Sequence, residues 1–152
     1  MSKMNDAMQT ITQGVYIVGV DDGEKKNLMT AAWVTQISDK PSILLAVGST
    51  HYTASMIRKA GHFALSVVAP GQEDVANKCG KATGRTSDKT ANMDLRYTDK
   101  GDPLVNGAAA HMECEVFNII DTPDHVLFCA DVKKAEKFSD DVMIYVEKVF
   151  FG

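Results

Sequence analysis

The residues best suited to chemistry lie at Gly48-Ser49-Thr50-His51-Tyr52-Thr53, directly after the apolar run Ile43–Val47 and directly before a helical pattern. Three hydroxyls there, on Ser49, Thr50 and Thr53, can donate to an anion. The main-chain N–H groups of His51 and Tyr52 would open the helix without intrahelical partners, at the positive end of its dipole. That donor set suits a phosphate, although the same residues would also serve simply to cap the helix. A second set of donors lies in Gly84-Arg85-Thr86-Ser87-Asp88-Lys89, where Arg85 offers a bidentate fork and Lys89 a point charge for phosphate. The glycine, lysine and hydroxyl spacing of a Walker loop is not met there. His125 follows the turn Asp121-Thr122-Pro123-Asp124. No His-Glu-x-x-His pair and no nucleophile elbow occurs, so metal hydrolysis and acyl transfer rank low and no catalytic side chain or metal ligand is assigned. Cys79, Cys114 and Cys129 are odd in number and widely spaced, so neither a disulfide framework nor a zinc motif is indicated. Cys114 and Cys129 fall in apolar strand patterns as small buried hydrophobes, leaving Cys79 as the thiol to test for reactivity.

These residues must be held by strands. Thr12–Val20 is β-branched and ends in the polar turn Asp21–Lys26, and the next strand is expected over about Leu28–Ile37. Asp39-Lys40-Pro41 is too short for a parallel crossover, so Ile43–Val47 should return antiparallel. Met56, Ile57 and Ala60 share one face of a short helix that Gly61 would terminate in a left-handed conformation. Phe63–Val68 reads as a strand, and the helix after Pro70 carries acids in its first turn and Lys78 and Lys81 near its end. Gly80–Met93 is polar and aperiodic, a surface loop. From Ala108 to Ile119 the chain alternates, with Ala110, Met112, Cys114 and Val116 on one side and His111, Glu113 and Glu115 on the other. His125–Val132 should return as its partner, and Val142–Phe151 should add a last strand. About seven strands and two short helices without βαβ alternation predict a mainly β, antiparallel small barrel with helices outside it. A barrel of that size fills its own interior, so a ligand belongs on its outside or between subunits.

The chain has 152 residues, one domain's length, and needs no staple to bury a core. Its formal charge of −4 argues against a general nucleic-acid binder. No apolar run approaches the roughly 18–20 residues that cross a bilayer, and Met1-Ser2-Lys3-Met4-Asn5-Asp6 opens without a signal-peptide core, so a cytoplasmic protein without a membrane partner is expected.

Asn27-Leu28-Met29-Thr30-Ala31-Ala32-Trp33-Val34-Thr35-Gln36-Ile37-Ser38, followed by Lys40–Val47, Ser49–Thr53 and Ile57-Arg58, resembles the flavin reductase-like family with its FMN-binding split barrel. The resemblance runs over most of the chain as one domain, 1–152, weakest in the first dozen residues. It implies a Greek-key-like split β-barrel, a homodimer, bound FMN, NADH or NADPH as reductant, and a redox-protein or oxygenase partner. It also implies that Thr30, Ala31, Trp33, Gln36 and Ser38 lie along the flavin ring and ribityl chain, with small residues admitting the flat ligand to the backbone. By the same resemblance Ser49–Thr53 hold the phosphate, Arg85 and Lys89 belong to a loop near flavin and nicotinamide, and His125 takes the place of a histidine at the nicotinamide or flavin site. Two departures stand out: Thr12-Gln13-Gly14-Val15 lacks a proline common in relatives, and the phosphate cluster has no lysine or arginine. The function implied is hydride transfer from NAD(P)H to flavin and electron delivery onward. The alternatives are a flavoredoxin-type carrier reduced by a protein partner, and a non-enzymatic binding barrel.

Overall fold

The computed structural model describes residues 2–81, 84 and 88–146. A short helix α1 (Lys3–Met8) precedes β1 (Tyr16–Asp21), β2 (Lys26–Ala31), β3 (Val34–Ser38) and β4 (Ser42–Gly48). Then come α2 (Tyr52–Ala60), β5 (His62–Val67), α3 (Glu73–Lys81), the short pair β6 (Leu95–Tyr97) and β7 (Pro103–Val105), and the long pair β8 (Ala110–Asp121) and β9 (His125–Lys137). Seven strands form one sheet in the order β2-β1-β5-β8-β9-β4-β3, and every named pairing is antiparallel. The two edge strands, β2 and β3, are joined only by Ala32 and Trp33. Laid flat, those edges would stand six strand spacings apart, about 29 Å. The three Cα steps from Ala31 to Val34 reach at most about 11 Å. The sheet therefore curls until its edges meet at that link, which makes it a split barrel.

Two faces of the sheet receive different cover. Val18, Val20, Met29, Leu45, Val47, Phe63, Leu65 and Phe128 fill the barrel interior together with Ala54, Met56 and Ile57 of α2. Ile17, Leu28 and Val105 face the other way and pack under Ala76 and Cys79 of α3 and Met143 of the C-terminal segment. Burial on both sides explains why Val15–Val20 carries an unbroken apolar run where a half-exposed strand would alternate. Helix α2 ends as expected: Gly61 takes φ 79° and its N–H bonds the Ile57 carbonyl at 2.8 Å. None of the described helices is long and apolar enough to cross a membrane.

Several expectations need correction. The strand expected over Leu28–Ile37 is two strands at opposite edges of the sheet. The first strand begins at Tyr16, and α1, β6 and β7 were not anticipated, so the described residues contain three helices. His111 is buried at 4% exposure, its Nε2 2.6 Å from the Val105 carbonyl and Phe138 edge-on at 5.0 Å, although the alternation put it outward. Within the loop after α3, Gly84 and Lys89 are buried. The last strand reduces, within 142–146, to a bridge between Gly14 and Ile144, and the remainder of that expectation lies outside the described residues.

Candidate functional site

The link that closes the barrel also shapes a cleft. Met29–Ala31 at the end of β2, Ala32, Trp33, and Ala46–Gly48 at the end of β4 line it, with His51, His125 and Tyr145 at its borders. The cleft has a volume of ≈ 290 Å³. The sequence makes this space by omission. Ala31, Ala32, Ala46 and Gly48 place almost no side chain between the backbone and a ligand. At Gly48 a Cβ would stand 2.6 Å from Cδ2 of His51, so only glycine lets that imidazole lie against the strand end.

Backbone pairing fixes the borders. Trp33 accepts at its carbonyl from Ala46 N–H at 3.0 Å, while Gly48 pairs with His125 on the other side of β4. The two side chains meet across the strand, ring centroids 4.6 Å apart and planes inclined by 27°. His125 Nδ1 lies 2.9 Å from Asp124 Oδ1, and that hydrogen bond holds the Asp124 carboxyl below its ordinary value. Ser49 N–H bonds the Asp124 carbonyl at 2.9 Å, tying the β8–β9 turn to the end of β4. Helix α2 starts here, with His51 as its N-cap and no side-chain cap bond. Its first-turn N–H groups and dipole favour an anion at this end of the cleft.

Of the residues singled out from sequence, the structure brings Thr30, Ala31, Trp33, His51 and His125 together at the cleft. Thr30 contributes its backbone and outer surface, because its hydroxyl donates to the Ala76 carbonyl of α3 at 2.5 Å. Trp33 is 51% exposed and so is not core. Ser49 and Thr50 are exposed in the turn between Gly48 and His51 and border the lining. Tyr52 is half-buried with the Lys25 ammonium 5.3 Å from its ring centre. Thr53 is buried, its hydroxyl accepting from Asn27 Nδ2 at 3.2 Å. Gln36 and Ser38 are exposed on β3, the Gln36 amide donating to the Ser38 carbonyl at 3.1 Å, outside the lining. Lys89 is buried and donates to the Cys79 carbonyl at 2.8 Å; burial lowers its pKa, and it too lies outside the lining. Arg85 lies outside the described residues.

Ala46, Gly48 and Tyr145 also line the cleft, with no role assigned to them from the sequence. Gly48 was legible in principle, as a glycine between an apolar strand and a hydroxyl cluster. Tyr145 was not, because only the pairing of its segment brings it here: Tyr145 N–H bonds Gln13 O at 2.8 Å and Met143 N–H bonds Val68 O at 2.9 Å. Cys79, the thiol marked for reactivity, is fully buried, and burial pushes it up to about 11; Cys114 is pushed up to about 12 by the same cause. Both are thiols at neutral pH.

The His51 N–H expected to face a phosphate is instead bonded to the Gly48 carbonyl at 3.0 Å, and Thr53 is turned inward to Asn27. What fits a phosphorylated planar ligand is therefore the apolar, small-residue wall at one end and the start of α2 with the exposed Ser49 and Thr50 at the other. Comparison with known proteins identifies the family and the fold. The family model described as flavin reductase like domain matches residues 8–152. The NADH:FAD oxidoreductase SgcE6 of Streptomyces globisporus C-1027 is 28% identical, with 90% of this chain and 82% of that one covered at a TM-score of 0.83. An FMN-binding protein from Thermus thermophilus is 26% identical, with 90% and 82% covered at 0.83. BorF, the flavin reductase component of a bacterial two-component tryptophan halogenase, is 27% identical, with 93% and 91% covered at 0.84. The chain spans 64% of the length of one curated relative and 22% to 58% of others it matches.

Proposed function

The chain belongs to the flavin reductase-like domain family, whose members are flavin-binding oxidoreductases, and on that premise we propose that it binds FMN in the cleft at the barrel closure, accepts a hydride from NADH or NADPH, and passes electrons to a further acceptor. The observation that carries this reading is the continuity of a small-residue wall, Thr30–Trp33 and Ala46–Gly48, with the N-terminus of α2. FMN would supply the hydride acceptor and a store of two electrons. Ala31, Ala32 and Ala46 would allow its ring close to main-chain atoms, Ser49, Thr50 and the first N–H groups of α2 would take the phosphate, and His51 would border both. No side chain is required as acid or base for a hydride step, which is consistent with a binding constellation and no triad.

The assembly we propose is a homodimer of single 1–152 domains. Ile120, Leu127 and Ala46 stand in register across β8, β9 and β4, and Ala46 leads to the Trp33 link. Ile120 is 44% exposed, so the outer end of this apolar row is unburied in a single chain, and Ala46 at its other end lines the cleft. The electron acceptor is proposed as an oxygenase or redox-protein partner, in line with the two-component relative.

The decisive experiment is to load the protein with FMN, exclude air, add NADH or NADPH, and follow the loss of flavin absorbance. Bleaching by either nucleotide is expected. Stable FMN binding without bleaching would leave a carrier reduced by a protein partner, and failure to take up FMN would leave a barrel with another ligand.

A further inference from the structure

The outer face of the β8–β9 pair carries a second basin at the end away from the flavin cleft. Alternation places His111 and Glu113 on that face of β8, and the antiparallel register sets Glu136 opposite His111 and Lys134 opposite Glu113. With Arg96 of β6 and with Ala135, these side chains line a cavity of ≈ 350 Å³. Its walls hold unused polar capacity. His111 Nε2 lies 2.6 Å from the Val105 carbonyl, which can only accept, so Nε2 carries the ring proton. Nδ1 of the neutral ring is then a bare acceptor, buried in a residue only 4% exposed and without a hydrogen-bond partner among the described residues. Burial first, and then the Arg96 guanidinium, hold this imidazole below its ordinary pKa, so Nδ1 stays unprotonated at neutral pH. The charged walls are paired only loosely. Arg96 Nη2 stands 3.9 Å from Glu136 Oε2 and Lys134 Nζ 3.6 Å from Asp99 Oδ2, both beyond hydrogen-bond length.

A cavity walled by two carboxylates, two cations and one neutral acceptor selects a ligand that carries both signs. A simple anion would meet Glu113, Glu136 and the Nδ1 lone pair, and a simple cation would meet Arg96 and Lys134. We propose that this basin binds a small zwitterion of the amino-acid class, with its carboxylate on Arg96 and Lys134 and its ammonium on Glu113 and Glu136, where it supplies the donor that His111 Nδ1 lacks. The site stands apart from the flavin reading, because the basin and the cleft share no lining residue. Along β9, Glu136 is eleven residues from His125, roughly 36 Å of extended strand.

The test titrates the whole chain with glycine, β-alanine and 4-aminobutyrate, zwitterions of increasing charge separation, and with acetate and methylammonium as single-charge controls. Calorimetry gives the affinities, and long-range proton–nitrogen NMR spectra report the His111 ring nitrogens. At least one zwitterion should bind once per chain with a Kd on the order of 1 mM, at least about tenfold tighter than either control, and should shift the Nδ1 resonance. Arg96→Gln and Glu136→Gln change side chains that are 47% and 56% exposed, so the fold should tolerate both. Each should weaken the zwitterion about tenfold and leave its FMN counterpart at the cleft unaffected. The proposal is overturned if no zwitterion binds below about 20 mM, or if a single-charge control binds as well. It is equally overturned by an affinity that either substitution leaves unchanged, by an Nδ1 resonance that does not move at saturation, or by displacement of the zwitterion with FMN, which would put it in the cleft.

Discussion

Replacing Gly48 with alanine separates binding from folding. The added methyl would stand 2.6 Å from His51 Cδ2 and 3.1 Å from Nε2, about 1 Å inside normal carbon contact distance. The obstacle is the end of an exposed side chain, not backbone, and Gly48 carries no positive φ, so the imidazole can swing away. Stability should change by less than about 1 kcal/mol, since the alanine also restricts the unfolded chain. Binding should not be spared. Swinging the His51 imidazole aside moves a side chain that borders the cleft, and the added methyl narrows a space of ≈ 290 Å³ whose wall includes Gly48. Loss of one hydrogen bond to a charged group costs about 1.5–3 kcal/mol, roughly a tenfold to hundredfold weaker dissociation constant. The assay is an FMN titration followed by flavin fluorescence, alongside urea unfolding of the same sample. An unchanged FMN constant in a folded Gly48→Ala protein would remove the end of β4 from the flavin site.

The same substitution at Gly19 should do the reverse, because a Cβ there would lie 1.9 Å from the Pro103 carbonyl oxygen, a backbone atom that cannot rotate aside; Gly19→Ala should cost about 3 kcal/mol of stability, measured by urea unfolding. Asp102 is buried, accepts from Asp21 N–H at 2.7 Å, and faces His62 Nδ1 at 2.6 Å, yet desolvation outweighs these bonds and raises its carboxyl above 3.8. A raised acid binds its proton more tightly when folded, so its contribution to stability is greatest below about pH 4 and falls as pH rises through the folded value. Asp102→Asn should remove that fall, and a wild-type-minus-variant difference in urea midpoint that is flat between about pH 3.5 and pH 6 would contradict it. Iodoacetamide at pH 8 should leave all three buried cysteines unmodified in the native protein and alkylate them in denaturant, with mass spectrometry as the readout.

Local chemistry was legible where it alone decides structure. Gly61 ends α2 because only a residue tolerant of positive φ fits there, and the acids and lysines of α3 complement its dipole. Antiparallel return across Asp39-Lys40-Pro41 followed from loop length. What escaped depends on partners far along the chain. Ala32 and Trp33 carry no glycine or proline to announce a break, and the break exists because β2 pairs with β1 while β3 pairs with β4. The polar second half of β9, Lys133–Lys137, shows no apolar alternation and is a strand because β8 pairs with it. His111 is buried by Phe138 and by a register shift between Glu113 and Cys114 that no periodicity records. At the site, the Thr30–Trp33 and Gly48–His51 stretches were recognisable as neighbours in sequence. Tyr145, and the meeting of Trp33 with His125, come from topology.

The sole tryptophan lies in the cleft, so its emission tests the central claim most directly. Titration of the purified protein with FMN should quench Trp33 emission saturably at one flavin per chain, and riboflavin, lacking the phosphate that α2 would hold, should need a concentration about tenfold or more higher. FMN that binds tightly while Trp33 emission stays unchanged would place the flavin elsewhere on the molecule, and equal affinities for FMN and riboflavin would remove the N-terminus of α2 from its site.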